Sequence, residues 1–198
     1  MYNPAGQTDA RGCSLTLNYD LLNRLTAKNS SGTGCNSQVS ATYTYDVGTN
    51  GKGRRTGMTD PSTGSGATTW TYDSRGRMLT ETKVISGQSF TTSWSYNSAD
   101  LPVTMTYPDG EVVTNTYSPQ MLLETVSGWM NGSSTPYVTS TSYDSAGRMT
   151  GRALGNGLSQ TYAYYPWNQQ GGRLQTLSTA SLQNLTYQYD LAGNITRI

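Results

Sequence analysis

The sequence predicts an all-β protein built from consecutive antiparallel β-hairpins. Three observations support this prediction: the composition, a turn motif that recurs along the chain, and the lack of a helical pattern. The 198 residues include 31 Thr, 23 Ser, 22 Gly and 15 Tyr, but one Phe. Thr and Tyr favour strands, while Gly and Ser favour turns. Because no stretch of about 11 residues keeps a 3.6-residue apolar period without Gly or paired Thr, no helix is predicted.

A tyrosine followed by a turn recurs along the chain at intervals of 21 to 27 residues. We call these residues the marker tyrosines. They are Tyr19, Tyr45, Tyr72, Tyr96, Tyr117, Tyr143, Tyr164 and Tyr189. Each interval accommodates two strands and two connections, which is one hairpin per repeat. We therefore predict a single array of about eight hairpin repeats over residues 1–198, cut from a longer protein.

The turn itself is predicted from YDSAGRM at 143–149. Asp144 takes the first turn position, where its carboxylate can accept backbone N–H groups, and Gly147 takes the fourth position with a positive φ. This is a type I turn with a glycine bulge, which places Asp144 opposite Arg148 and Tyr143 opposite Met149. The equivalent aspartates and glycines elsewhere are Asp20, Asp46, Asp73, Asp190, Gly76 and Gly193.

Alternation along the strands predicts two different faces of the sheet. Two residues before the marker tyrosine, six of the eight repeats carry a bulky residue: Leu17, Tyr43, Trp70, Trp94, Tyr162 and Tyr187. Because side chains alternate with period two, these residues and the markers form an aromatic stripe on one face. The opposite face is predicted to carry Thr, Ser, Asn and the charged turn pairs.

Two copies of the turn are longer than the others. YDVGTNGKGRRTG at 45–57 and YYPWNQQGGRLQ at 164–175 each contain about four extra residues. Loops of this kind can hold a binding contact, but more often such insertions are simply tolerated by the fold.

Cys13 and Cys35 lie at the outer ends of two predicted neighbouring strands. A disulfide between them would close a loop of about 20 residues and contribute about 3 kcal/mol in the chain-entropy model. It would also indicate an oxidising compartment. Two unpaired thiols are the alternative.

The residue types leave little basis for catalysis or metal binding. The chain has no His, which removes Ser-His-Asp and Cys-His catalysis and the commonest metal ligand. Two Cys cannot form a structural zinc site by themselves. Several carboxylates outside the turn motif could converge in a pocket: Asp60, Asp100, Asp109, Glu111 and Glu124. Since nothing in the sequence assembles them, we expect no enzyme activity, no cofactor and no metal.

The charges are balanced along the chain. With 13 basic and 12 acidic residues the net charge is +1, so no electrostatic footprint for nucleic acid is present. No apolar run approaches the roughly 20 residues that span a bilayer. We therefore expect no nucleic-acid partner and no membrane insertion.

The four tryptophans fall into two groups. Trp70 and Trp94 belong to the aromatic stripe, where packing is expected. Trp129 and Trp167 fall outside the stripe, in or near connections. They are candidates for a surface that stacks on a sugar or contacts a partner, with packing inside the protein as the alternative.

YDxxGR followed by an apolar residue and Thr, together with YPDG and YxYD, resembles the YD repeats of the Rhs family. This family includes bacterial Rhs polymorphic toxins, the shell-forming component of insecticidal toxin complexes, and teneurin ectodomains. The resemblance covers residues 2–198. It implies hairpins wound side by side into a spiral, curved sheet or partial β-shell, often around a toxic C-terminal segment. The aspartates of the family's self-cleaving core and its DPxGL-type motif are absent, so no protease residue is carried over.

The resemblance implies a structural function, namely a shell segment that encapsulates the cargo of a secreted toxin. Its partners would be adjoining repeats or other copies through open sheet edges, together with an enclosed toxin segment. The location would be extracellular or at the cell surface, reached through a bacterial secretion system. The alternative is an adhesin-like module that binds cell-surface glycans or another partner.

Overall fold

The computed structural model describes residues 3–35, 40–60 and 66–198, without the side chain of Asp60. The first eight strands are β1 (Gly6–Thr8), β2 (Ser14–Tyr19), β3 (Leu25–Ser31), β4 (Ser40–Tyr45), β5 (Arg55–Asp60), β6 (Gly66–Tyr72), β7 (Met78–Ile85) and β8 (Gln88–Tyr96). The others are β9 (Pro102–Thr106), β10 (Val112–Tyr117), β11 (Leu123–Met130), β12 (Ser133–Tyr143), β13 (Met149–Leu154), β14 (Ser159–Tyr164), β15 (Leu174–Thr179), β16 (Gln183–Thr186), β17 (Gln188–Tyr189) and β18 (Ile195–Arg197).

The chain divides into two compact units, Met1–Ser95 with Thr106–Asp109, and Tyr96–Met105 with Gly110–Ile198. In the first unit, β1 to β8 each pair antiparallel with the next strand along the chain. In the second, β9 neighbours β10, and β10 to β16 pair in the same way. A separate hairpin pairs β17 with β18. The predicted fold class, consecutive antiparallel hairpins in an all-β protein, is confirmed.

The register of the hairpins agrees with the predicted turn geometry. Marker tyrosines pair with apolar residues across the turn, as Tyr143 does with Met149, and a bulge precedes each pair. The other apolar pairs are Tyr19 with Leu25, Tyr72 with Met78, Tyr117 with Leu123, Tyr164 with Leu174 and Tyr189 with Ile195. Tyr45 differs, because it pairs with Arg55. The lengthened loop at 164–175 contains a single 3₁₀ turn, Gln170–Gly172, before β15.

Neither unit has a conventional hydrophobic core within the described residues. The buried apolar side chains are Trp70 in the first unit and Val138 in the second, each 9% exposed. The marker tyrosines are half-buried, on a face that we call the tyrosine face. Because so little apolar surface is removed from water, burial alone contributes less here than in an ordinary domain.

The opposite face, which we call the threonine face, accounts for the high Thr content. Threonines on adjacent strands pair through their hydroxyls, as in Thr71 with Thr80 at 2.6 Å and Thr116 with Thr125 at 2.7 Å. Cross-strand pairs of this kind stabilise a sheet without needing a covering layer. This face can therefore remain in contact with water.

Cys13 and Cys35 are joined as a disulfide, with their Cα atoms 4.7 Å apart. Cys13 immediately precedes β2 and Cys35 follows β3 by a short connection. The bond therefore closes the open end of the first long hairpin.

Reduction of this disulfide is expected to lower the free energy of unfolding by about 3 kcal/mol, because the reduced unfolded chain regains the entropy of an open loop. Urea unfolding with and without reductant measures the effect. The Cys13→Ser/Cys35→Ser variant is the control and should match the reduced protein. Two reactive thiols in the denatured, unreduced protein would contradict the bond.

Candidate functional site

The turn between β12 and β13 shows how the repeated motif works. Asp144 Oδ1 accepts the backbone N–H groups of Ala146 and Arg148, both at 2.9 Å. The N–H of Gly147 donates to the carbonyl of Asp144 at 3.0 Å, and Gly147 has a φ of +76°. A positive φ is accessible to glycine without steric cost. Asp144 and Gly147 thus have a structural role, which is to form the turn.

Other residues replace the glycine in some turns and keep its backbone conformation. Asn23, Asp100 and Met121 have φ values of +60°, +65° and +62°. Asn and Asp tolerate the left-handed region better than other non-glycine residues. Met121 lacks that tolerance, so its turn stores backbone strain.

The marker tyrosines tie each hairpin to the hairpin before it. The hydroxyl of Tyr164 donates to the carbonyl of Met149 at 2.7 Å. Met149 in turn is the residue that pairs with Tyr143, so one backbone position connects two successive markers. The same donation, at 2.6 to 3.1 Å, links Tyr19 to Pro4, Tyr45 to Leu25, Tyr72 to Arg55, Tyr117 to Pro102, Tyr143 to Leu123 and Tyr189 to Leu174.

The arginine after the turn forms a second tie, directed toward the following hairpin. Arg148 pairs with Asp144 at 2.7 Å and donates from Nη1 to the carbonyl of Gly172 at 2.8 Å. Its guanidinium carbon lies 4.3 Å from the ring centre of Tyr164 and 4.6 Å from that of Trp167. Guanidinium groups are attracted to aromatic faces and bond in a planar fork. Arg148 therefore links two turns by charge, hydrogen bonding and stacking.

The prediction that the charged turn pairs lie opposite the aromatic stripe is wrong. Arg24 lies 4.4 Å from the ring centre of Tyr45 and bonds to Asp46 of the next turn at 2.8 and 3.0 Å. The turn and its bulge interrupt the period-two alternation on which the prediction depended. The long arginine side chain then lies over the neighbouring ring on the tyrosine face.

Some turn glycines are needed for a reason beyond their φ. A Cβ atom on Gly193 would lie 2.5 Å from Nη2 of Arg173, and one on Gly76 would overlap the guanidinium of Arg54. These arginines belong to the preceding hairpins. The absent side chain therefore makes room for the guanidinium of the previous repeat.

These contacts between repeats were not predicted from the sequence, because turn geometry pairs each arginine only with its own aspartate. A signal was present: arginine recurs immediately before the residue that faces the marker tyrosine, as Arg24, Arg77 and Arg148 do. Strand spacing alone does not indicate which neighbouring ring such a side chain reaches.

The structure places the two candidate binding tryptophans differently. Trp129 lies within β11, opposite Val112 and Ser134, and is 51% exposed. By alternation from Thr125 it is on the threonine face. Trp167 lies in the lengthened loop and is 65% exposed, although Arg148 stacks on its ring. The two side chains do not form one site, because Trp167 lies in the loop between β14 and β15 and Trp129 lies within β11.

Of the carboxylates considered for catalysis, Glu111 has a structural contact, and the side chain of Asp60 lies outside the described residues. Glu111 accepts the hydroxyl of Tyr137 across β11, where Gly128 leaves room for the contact. Among the described residues, no three His, Cys, Asp or Glu side chains are placed to hold a metal ion. In the same part of the chain, no helix is long and apolar enough to cross a membrane.

The turn aspartates should make stability depend on pH in acid. Hydrogen bonds from the backbone N–H and guanidinium of Arg148 lower the pKa of Asp144 from 3.8, and the Arg24 guanidinium lowers that of Asp46. A lowered folded-state pKa contributes stability above the unfolded value of about 3.9, and that stability is lost as the pH falls through the folded pKa. The urea midpoint should therefore be flat from about pH 7 to 5 and fall below about pH 4.

An Asp144→Asn variant tests the assignment, because it cannot lose the ion pair to protonation. Its stability should be lower than wild type at neutral pH and converge with wild type in acid. A constant difference between the two proteins across the whole pH range would contradict the role of Asp144.

Comparison with known proteins gives structural matches alone. No family model matches the chain, and no curated protein is similar to it in sequence. The crystal structure of TcdB2-TccC3 matches 97% of this chain with 20% identity and a TM-score of 0.74. The structure of the Photorhabdus luminescens Tc holotoxin pore matches 97% with 21% identity and the same TM-score.

This chain spans about a tenth of the chains it matches, 11% of the first and 10% of the second. At this identity the likeness establishes the fold. The matched structures are toxin-complex proteins, the class that the YD motif resembles, so the recognition made from the sequence is confirmed for the fold.

Proposed function

We propose that the chain is a structural segment of an Rhs-type shell, a stretch of wall that helps to enclose the cargo of a larger secreted toxin. The observation that supports this proposal most directly is the set of contacts that join each hairpin to its neighbours. Tyrosine hydroxyls and arginine guanidinium groups join each turn to its neighbours, while Trp70 and Val138 are the buried apolar side chains of the described chain. Stability that accumulates between adjacent repeats suits an extended wall.

The proposed role is not catalytic. The turn aspartates, five of the 12 acidic residues, accept backbone N–H groups, and four of them also accept an arginine side chain, as Asp144 does. Those contacts use the oxygens that a general acid or base would need. The hydrogen bonds of the turn aspartates therefore favour a structural role over a catalytic one.

The proposed partners are adjoining repeats or other copies at sheet edges, and an enclosed polypeptide. We propose an extracellular or cell-surface location, reached through a bacterial secretion system. The disulfide between Cys13 and Cys35 supports an oxidising destination, since such bonds persist outside the cytosol.

A segment exchange tests the shell function. TcdB2-TccC3 has a hypervariable C-terminal region, which was left out in one of its crystal structures. In the protein that contains this region, the stretch that aligns with our chain would be replaced by it, and the protease resistance of the region would be measured. The exchanged protein should protect that region as the parent does. A matched control carries a Gly/Ser linker of equal length and should lose protection. Equal digestion of the exchanged protein and the linker control would contradict the proposal.

Glycan binding is the second candidate, and the exposure of Trp129 supports it. A half-exposed indole beside hydroxyl-bearing strands presents an apolar face and nearby hydrogen-bonding groups. A glycan array with wild type, Trp129→Ala and Trp129→Phe tests this function, with Trp167→Ala alongside. Binding lost with Trp129→Ala and kept with Trp129→Phe would support stacking at Trp129. No bound glycan in the wild type would contradict it.

A further inference from the structure

In the second unit, the arginine tie is missing between two successive turns. Leu122 holds the position that arginine holds in the next turn, since the N–H of Ser118 donates to the carbonyl of Leu122 as that of Asp144 does to Arg148. The side chain of Leu122 carries no charge and no hydrogen-bond donor. The following turn, 144–148, therefore receives no guanidinium from the hairpin before it.

The space that a guanidinium occupies elsewhere is open at this turn. A Cβ atom on Gly147 would meet nothing within 4 Å, whereas those on Gly76 and Gly193 would meet Arg54 and Arg173. Arginines lie over the marker rings at Tyr45, Tyr72, Tyr164 and Tyr189. Within the described part of the chain, none lies over Tyr143. The ring of Tyr143 and the open space at Gly147 thus match the surroundings of a guanidinium group, but no arginine of the described chain lies there.

A cleft of about 480 Å³ lies at this place, between the two turns. The residues that line it include Tyr143, Gly147, Asp144, Glu124 and Gln120. These groups offer an aromatic face, hydrogen-bond acceptors and negative charge in one place. That combination is complementary to a planar cation.

Glu124 gives the cleft a negative charge that the other repeats lack at this position. Asp144 is already neutralised by Arg148 at 2.7 Å, whereas no described side chain pairs with the carboxylate of Glu124. In the repeats that carry the arginine, the equivalent residue, second after it, is Thr26, Thr56, Leu79, Thr150 or Gln175. Leu101 also holds the arginine position, since the N–H of Asn97 donates to its carbonyl, but the equivalent residue there is Val103. The carboxylate of Glu124 therefore distinguishes the cleft at Tyr143, and its negative charge favours a cation.

We propose that this cleft binds a guanidinium group, supplied by an arginine side chain of another polypeptide. The incoming group would stack on Tyr143 above Gly147 and donate to Glu124. This is the arrangement that Arg148 makes with Tyr164 and the carbonyl of Gly172. A guanidinium fits better than an ammonium because its planar fork both stacks on an aromatic ring and bonds to a carboxylate.

The test uses the full 198-residue chain and N-acetylargininamide as the probe, followed by NMR. The amide signals of Tyr143, Gly147 and Glu124 should shift saturably, at millimolar probe concentrations. N-acetylcitrullinamide, which has nearly the same shape and no charge, is the matched control and should produce no saturable shift. Equal responses to both compounds, or no saturable response to the arginine compound, would overturn the proposal.

Two variants test whether the arginine compound binds in this cleft. Leu122→Arg supplies the missing guanidinium from within the chain and should abolish binding while leaving the thermal midpoint unchanged or higher. Glu124→Gln changes an exposed residue, so the fold is retained, and should weaken binding about twofold to fivefold, the range for an exposed charge pair. Unchanged affinity in Glu124→Gln, or in a folded Leu122→Arg variant, would overturn the proposal.

Discussion

Arg148→Ala is expected to lower the free energy of unfolding by about 2 kcal/mol, the sum of a charged hydrogen bond and a cation–π contact. The variant loses the bond to the carbonyl of Gly172 and the stacking on Tyr164 and Trp167. The figure leaves out the ion pair with Asp144. Because the arginine joins two turns, its loss should loosen the contact between two hairpins. Urea unfolding measures the total effect, and hydrogen exchange locates it.

Arg148→Lys separates charge from shape. Lysine keeps the positive charge but lacks the planar fork, so it should recover only part of the loss. Arg11→Ala is the control, because the Arg11 side chain is largely exposed and pairs with Asp9, two residues before it. It should change stability little. Equal effects of Arg148→Ala and Arg11→Ala would contradict the tie between repeats.

Gly155→Ala is expected to destabilise the second unit by about 3 kcal/mol, at the upper end for a forced overlap in a packed structure. A Cβ on Gly155 would overlap the backbone carbonyl of Pro136, and backbone cannot move aside as a flexible side chain can. The N–H of Gly155 also donates to the carbonyl of Tyr137 at 3.0 Å. The substitution should therefore separate β12 from the connection that follows β13.

Gly157→Ala, two residues away, is the matched control. Gly157 has a φ of +84° and open space around its Cβ position, so alanine there meets backbone strain alone. The expected loss is about 1 to 2 kcal/mol, the cost of a left-handed conformation for a non-glycine residue. Thermal unfolding of both variants compares the two costs. A smaller loss for Gly155→Ala than for Gly157→Ala would contradict the predicted overlap.

The losses of stability expected for Arg148→Ala and Gly155→Ala are relevant to the proposed shell function. A globular enzyme depends chiefly on a buried core, whereas these predictions place much of the stability in ties between neighbouring hairpins. Such ties need only the adjacent repeat, so they can be continued for as many repeats as a wall requires. The binding cleft next to Leu122 is a place where this internal regularity is broken.

Local features of the fold were predictable from the sequence because they depend on residues a few positions apart. The turn at Asp144 and Gly147 follows from backbone sterics and side-chain hydrogen bonds. The pairing of Tyr143 with Met149 follows from the length of that turn. Neither needs knowledge of the neighbouring hairpin.

The sequence indicated which tryptophans are candidates for binding, but it did not indicate what surrounds each of them. Trp129 and Trp167 are both exposed, yet one lies on a strand and the other under a guanidinium. Their departure from the repeat pattern was visible in the sequence. The contacts of each ring depend on which residues of other hairpins lie close to it. The spacing of residues in the sequence does not give the distances between hairpins.

The class of fold, the register across each turn and the hydrogen bonding of the turns thus follow from the sequence, because they arise within about ten residues of chain. The ties between repeats follow only from the three-dimensional arrangement of the hairpins. The hydroxyl of Tyr164 reaches Met149, and Arg148 reaches Gly172, across separations of 15 and 24 residues. Such contacts depend on how far apart hairpins lie and how the bulges turn side chains, and both are settled only when the strands pair.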